Sequence, residues 1–489
     1  MAGEPRATSS LPRLTQLSFA ALLAFGPACD CGDDGGPMEM PPTPDAGSGD
    51  GGQDSPPDEP EPMAPGFMPD VGDLIEGEPP EELAQEACAV DTNKLFQLAV
   101  SEGIVGDTML GVDLIESEFG MVFVDVSNEC THAVRIARFS GPAGSGEPEV
   151  ELALDACSTI GRTAVAHNDE TWLLVTVDDR DGPMDVWIQR VGDRTGDQGF
   201  RLSDSPSEEV DVAVMAAPPL PQPEGAEPLP DIALEGYGAV AWIDSDAFAG
   251  TRAMFLQMLT VDGEPNGDPI VLYDHGAMDF TSVTLARVGT DKIGLGYRRF
   301  DRMGISEIMF EVRDAVTGEL EREPWLITPE GGQQGTIELA TDETGGGIAY
   351  SVEQGTEGRQ VWFIRLDANG EIAPVQSGVQ QGGPSEPQRV VGLPYKGVDA
   401  SIAKLPVGYA VVFRGLPGGP ITESLIRIQF IDRFGRLIDQ ASSIAFAADI
   451  GGRTTVEAAF DGRIAVGWTD ATEDLMGTTV NVVRLPCVR

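Results

Sequence analysis

Ser282-Val283-Thr284-Leu285-Ala286-Arg287, then Ile293-Gly294-Leu295-Gly296-Tyr297-Arg298, then Glu307 to Arg313 and Trp325 to Thr328, read as four short strands in succession. Apolar and polar residues alternate along them, and Gly or Pro punctuates the gaps. Working outward, the middle phrase recurs: small or aliphatic residues, an aromatic or Thr, then a polar turn. Its copies are Gly120-Met121-Val122-Phe123, Leu173-Leu174-Val175-Thr176, Ala239-Val240-Ala241-Trp242, Gly294 to Tyr297, Gly347-Ile348-Ala349-Tyr350, Ala410-Val411-Val412-Phe413 and Ala465-Val466-Gly467-Trp468. The seven copies are spaced by 53, 66, 55, 53, 63 and 55 residues.

A period near fifty residues, with four strands per unit, resembles the β-propeller architecture. The expectation is an all-β, seven-bladed β-propeller of four-stranded blades over residues 91–489, with the phrase as the second strand of each blade. Turn pairs Asp262-Gly263, Thr317-Gly318, Asn369-Gly370 and Phe434-Gly435 join third to fourth strands, where glycine supplies the positive φ of a tight hairpin. A Pro-rich insertion, Pro218 to Pro230, lengthens the third unit, and Gln380 to Lys396 lengthens the link into the sixth. The last unit ends after Val480 to Leu485 without a fourth strand, and Leu95 to Val100 can supply it. The ring is thus expected to close by pairing its N-terminal strand with its C-terminal one, which removes an open edge.

Upstream of the repeat, Arg6 and Arg13 precede a short apolar run, Leu17 to Phe25, that ends in Gly26-Pro27-Ala28-Cys29. This reads as a signal peptide over 1–28. It resembles the bacterial lipoprotein leader, which implies lipidation at Cys29 and a membrane attachment through that anchor alone, in the outer membrane or periplasm. Ordinary cleavage after Ala28 would instead give a secreted protein. Residues 29–90 form an acidic Pro/Gly-rich linker, expected to be disordered, with seventeen acidic and no basic residues between Asp30 and Val90. The remaining cysteines pair on this topology as Cys88 with Cys487 and Cys130 with Cys157, disulfides suited to an oxidising envelope, although spacing alone leaves connectivity open.

Eighty acidic against thirty-one basic residues give a net charge of −49. That balance argues against nucleic acid and favours cationic ligands or metal ions. Two residues beyond the phrase stand Asp125, Asp178, Asp244 and Asp470, with Asp181 and Asp246 nearby, and the topology places them on one face. Oxygen ligands of this kind suit calcium, so they are candidate cation-binding residues; solvated or turn-capping carboxylates are the plainer alternative. The recurring aromatics are expected in the core. No GxSxG, HExxH, phosphate loop or recurrent Ser-x-Asp-x-Gly box is present, and the three histidines are isolated. The catalytic residues are therefore left unassigned. The reading is a monomeric, non-catalytic envelope binding or scaffold module for a protein, a cationic ligand or a polysaccharide. Its rivals are an envelope glycan lyase or hydrolase with carboxylates at the propeller face, and a structural subunit of a surface assembly.

Overall fold

The computed structural model describes residues 95–485 except 102–107, 114–117, 128–130, 140–147, 159, 169–170, 192–198, 205–207, 223–227, 247–250, 301–304, 328–332, 355–357, 374–387, 390–395, 417–423, 448–452, 460–461 and 472–477. The leader, Cys29, the linker, Cys88, Cys130 and Cys487 fall outside these residues, and Cys157 is described by its backbone alone.

The chain begins with β1 (Leu95–Ser101). Blade 1 is β2 (Thr108–Asp113), β3 (Glu118–Ser127), β4 (Thr131–Phe139) and β5 (Glu149–Ser158). Blade 2 is β6 (Ile160–His167), β7 (Trp172–Asp178), β8 (Asp185–Val191) and β9 (Phe200–Arg201). Blade 3 is β10 (Glu208–Ala217), β11 (Tyr237–Asp246), β12 (Thr251–Thr260) and the first part of β13 (Ile270–Val288), with the short helix α1 (Asp231–Glu235) between β10 and β11. Blade 4 takes the rest of β13, β14 (Lys292–Phe300), β15 (Ser306–Asp314) and β16 (Trp325–Leu326). Blade 5 is β17 (Gln333–Asp342), β18 (Gly345–Gln354), β19 (Gly358–Leu366) and β20 (Gln388–Arg389). Blade 6 is β21 (Lys396–Leu405), β22 (Gly408–Leu416), β23 (Ser424–Asp432) and β24 (Leu437–Ala447). Blade 7 is β25 (Thr454–Ala458), β26 (Ile464–Ala471), β27 (Thr478–Leu485) and, as its outer strand, β1.

The protein is thus a seven-bladed β-propeller with antiparallel four-stranded blades. The repeated phrase occupies the second strand of every blade, and β1 pairs antiparallel with β27, Leu95 opposite Val483 and Ser101 opposite Thr478. One feature departs from the sequence reading: the outer strand of blade 3 and the inner strand of blade 4 are a single strand of 19 residues, β13. Its start pairs with β12 and its end with β14, so the two blades share one seven-stranded sheet. No Pro interrupts Ile270 to Val288, and Gly276, at φ 85°, bends the strand without ending it.

The first strands form the inner ring, touching one another in the cyclic order β25, β2, β6, β10, β13, β17, β21. Between blades lies the core. Phe123, Trp242, Tyr297, Tyr350, Phe413 and Trp468 are each at most 2% exposed, as expected of packing residues. Each contributes on the order of 1.5–3 kcal/mol by burial. Gly120 shows why the phrase opens on a small residue: a Cβ there would lie 2.8 Å from the Trp172 ring of blade 2.

Turns joining third to fourth strands share a device. In blades 5 and 6, Asp367 and Asp432 accept amide hydrogen bonds through Oδ1 from the residues two and four positions on, and Gly370 and Gly435 close the turn at φ 71° and 85°. In blade 4, Asp314 accepts from the Val316 and Thr317 amides and the Thr317 hydroxyl. Burial opposes its ionisation, but these bonds and the Lys292 charge outweigh it and hold the carboxyl below its usual range. A recurrent Asp three or four residues before the turn glycine therefore exists, in a spacing other than Ser-x-Asp-x-Gly.

Candidate functional site

Pairing register lets equivalent positions around the inner ring be compared without counting along the sequence. Partners of the second, aliphatic residue of the phrase are Leu110, Val165, Val214, Leu285, Leu339, Ile402 and Val456, apolar in all seven blades. These belong to the set that packs between blades. The alternate set faces the other side, toward the following blade, because successive side chains on a strand face opposite sides, and Ala164, Met215 and Ala403 lie in core clusters with residues of that blade. Its level opposite the third residue of the phrase reads Met109, Ala164 and Ala213 in blades 1 to 3, then Thr284, Glu338, Ser401 and Thr455 in blades 4 to 7. The next level reads Gly111, Ala166, Met215, Ala286, Ala340, Ala403 and, in blade 7, Glu457.

The polar members are used. Val456 N donates to Ser401 Oγ at 3.2 Å, and Leu110 N donates to Thr455 Oγ1 at 3.2 Å, each joining neighbouring inner strands. Val283 N donates to Asp211 Oδ2 at 3.0 Å in the same way between blades 3 and 4. Such bonds satisfy backbone amides at the channel edge of each blade. The Thr284 hydroxyl donates to Glu338 Oε2 at 3.3 Å. Arg453, just before β25, donates through Nη2 to Glu338 Oε1. In the ring, β21 stands between β17 and β25, so the Arg453–Glu338 pair is made across the central space rather than between adjacent strands.

Glu457 lies deeper on the same strand. Its side chain is half-buried, and no cation among the described residues pairs with it. Burial pushes its carboxyl up to about 8, the Glu338 charge pushes the same way, and a hydrogen bond from the Ala458 amide opposes both. A carboxyl pushed up to about 8 thus stands near Glu338, which is paired with Arg453.

A second mouth pair joins Arg162 Nε and Asp211 Oδ1 at 3.7 Å. Five inner strands carry a register break at this level: Ile160/Arg162, Glu209/Asp211, Phe280/Ser282, Gln334/Ile337 and Val398/Ser401. Asp399, inside the last, has φ 51°. β-Bulges end regular pairing and re-aim side chains, and here they encircle one end of the channel.

The aspartates singled out from sequence sit elsewhere. Asp125, Asp178, Asp244, Asp246 and Asp470 belong to the ends of β3, β7, β11 and β26, with Asp178 and Asp246 as the last paired residues before the loop and pairing running one or two residues past the other three. Asp178 is buried and held at both oxygens by Arg180, Nε to Oδ1 at 2.6 Å and Nη2 to Oδ2 at 2.5 Å, while Asp181 is exposed. Asp244 is buried 3.8 Å from His275 Nε2. The side chains of Asp125 and Asp246 are outside the described residues. Among the described residues, no three His, Cys, Asp or Glu side chains stand together as a metal site. Glu338 and Glu457 were missed among eighty acids; the only signal was their place on strands where sister blades carry small or apolar residues.

No family model matches the chain, and no curated protein matches it. Solved structures share its course at low identity. A protein of unknown function from Dyadobacter fermentans is 11% identical, covering 81% of this chain and all of its own, with a TM-score of 0.40. The NanB sialidase of Streptococcus pneumoniae is 8% identical, covering 80% and 70%, with a TM-score of 0.41. The α-L-arabinofuranosidase Arb93a of Fusarium graminearum is 11% identical, covering 80% and 98%, with a TM-score of 0.40. Identities of 8–11% transfer no residue from these proteins to this chain.

Proposed function

We propose that the protein is a cell-envelope binding module that receives an uncharged, hydroxyl-rich ligand, such as a polysaccharide end, at the mouth of its central channel. The observation that carries this reading is charge cancellation. In a chain of net charge −49, Arg453 meets Glu338 and Arg162 meets Asp211, and Glu457 is neutral at pH 7. What remains is a hydrogen-bonding surface of low net charge, suited to hydroxyl groups rather than to ions. Export through the leader, an anchor at Cys29 and the Cys88–Cys487 and Cys130–Cys157 bridges complete the proposal. Mass spectrometry of the mature amino terminus and of non-reduced peptides tests each of them. The full chain should retain neutral glycans on an array and lose them on Glu338→Ala substitution; an array with no retained glycan would sink the reading.

A second reading rests on the pairing of unlike carboxyls. A neutral acid beside a carboxylate is the arrangement by which glycoside-cleaving sites divide the roles of acid and base. Release of reducing ends from the retained glycan, abolished by Glu457→Gln, would favour it over binding alone.

A further inference from the structure

Two Asn-Gly steps stand in described links between third and fourth strands, Asn266-Gly267 in blade 3 and Asn369-Gly370 in blade 5. In such a step the backbone nitrogen of the second residue reaches the preceding side chain easily, because glycine has no Cβ to hold it off. Both asparagines are exposed, yet the fold treats the two steps differently. At Asn369 the glycine is pinned. Gly370 is buried, its amide donates to the Asp367 carbonyl at 2.9 Å, and its carbonyl accepts from Arg322 Nη2. Gly267 is the opposite case. It is exposed at φ 77°, nothing lies within 4 Å of the place a Cβ would take, and its amide has no acceptor among the described residues. This link is held by other groups. The Asn266 amide donates to the Met258 carbonyl at 2.8 Å, and Gln257, 1% exposed, donates through Nε2 to the Asn266 and Gly267 carbonyls at 3.2 Å. The Gly267 nitrogen is left uncommitted beside an exposed side-chain amide.

We propose that Asn266 is a self-modification site, at which the protein converts its own Asn-Gly step to aspartate and isoaspartate. The Gly267 nitrogen gives up its proton to solvent and bonds to Asn266 Cγ. The Cγ–Nδ2 bond breaks, and the side-chain nitrogen takes up a proton and leaves as ammonia. Water then opens the succinimide ring. Attack at Cγ gives aspartate, and attack at the main-chain carbonyl gives isoaspartate, whose backbone runs through Cβ and is longer by one carbon. Either product adds a negative charge to blade 3. Isoaspartate also turns the Asn266 carbonyl that Gln257 holds into a free carboxylate on a lengthened chain, which upsets the hydrogen bonding of a buried amide. The link that leads into β13, the strand common to blades 3 and 4, is thereby loosened.

The test ages the full chain in warm, mildly alkaline buffer and follows both steps in one digest by peptide mass spectrometry, isoaspartate being resolved by chromatography. The Asn266 peptide should lose its amide several times faster than the Asn369 peptide, with release of ammonia. In urea, where both links are unfolded, the two rates should converge. Asn266→Gln should keep its amide while Asn369 behaves as before. Equal rates at the two steps in the folded chain, or faster loss at Asn369, overturn the proposal. So does an Asn266 that keeps its amide in the folded chain and loses it only in urea. The chain aged to isoaspartate should melt below Asn266→Asp, which carries the charge without the longer backbone; equal melting overturns the loosening of the link.

Discussion

Blades 1 to 3 and blades 4 to 7 are built on one register, yet their inner strands carry different chemistry. Opposite the third residue of the phrase, the first group presents Met109, Ala164 and Ala213, and the second presents Thr284, Glu338, Ser401 and Thr455. Both alternating sets are packed, Ala164 and Ala213 lying in the core clusters between blades and Thr284, Ser401 and Thr455 being buried as well, so the difference is one of polarity at packed positions. The polar members lie on one side of the ring, where Arg453 meets Glu338 near Glu457.

The largest effect is expected from moving a carboxylate to the other side. Ala213→Glu puts an acid at the Glu338 level without an Arg453 to meet it, and should lower stability by about 3 kcal/mol or more in chemical denaturation. A variant as stable as wild type would mean that the two halves are equally tolerant of charge. Arg453→Met should follow, at about 1–3 kcal/mol after allowance for channel water, because it leaves Glu338 without its ion-pair partner.

Next comes pH. The native carboxyl of Glu457 titrates near 8 and the unfolded one near 4.5, so through that window the native state keeps a proton that the unfolded chain has released. Stability from this group therefore declines as pH rises from about 4.5 to 8 and is level above. Glu457→Gln, which does not titrate, should gain on wild type across this window in parallel melting curves, by on the order of 1–2 kcal/mol at pH 9. A constant gap from pH 5 to pH 9 would place the acid in open water. The smallest change is Thr284→Val, which removes one hydrogen bond to Glu338 and should cost about 1 kcal/mol, with no counterpart in Ala164→Val beyond a packing change.

Blade number and closure were legible because they rest on residues that cannot move. The aromatic of the phrase must fill the wedge between sheets, and its neighbour must be as small as Gly120 where Trp172 crosses. The strand pair at the two chain ends followed from a missing fourth strand. The inner ring was not legible, and the bulges explain why. Each inserts residues at the start of an inner strand, as between Gln334 and Ile337 or Val398 and Ser401, so counting from the mouth assigns side chains to the wrong face. Only the pairing itself aligns Glu457 with Ala403 and Gly111. Of the aspartates beyond the phrase, Asp178 closes its strand and takes up the Arg180 amide and guanidinium, the turn-capping role that was the plainer alternative.

Among the links between described blades, β13 stands apart as one unbroken strand carrying hydrogen bonds for two sheets. A hinge needs backbone free to change its dihedrals, and here the connection from blade 3 to blade 4 is committed to pairing along much of its length. Blades 3 and 4 should accordingly open together, as one cooperative unit, when the ring breathes. Their amide protons along β12, β13 and β14 would then exchange with solvent at a common slow rate, giving the propeller a stiff sector from which the polar half of the channel begins.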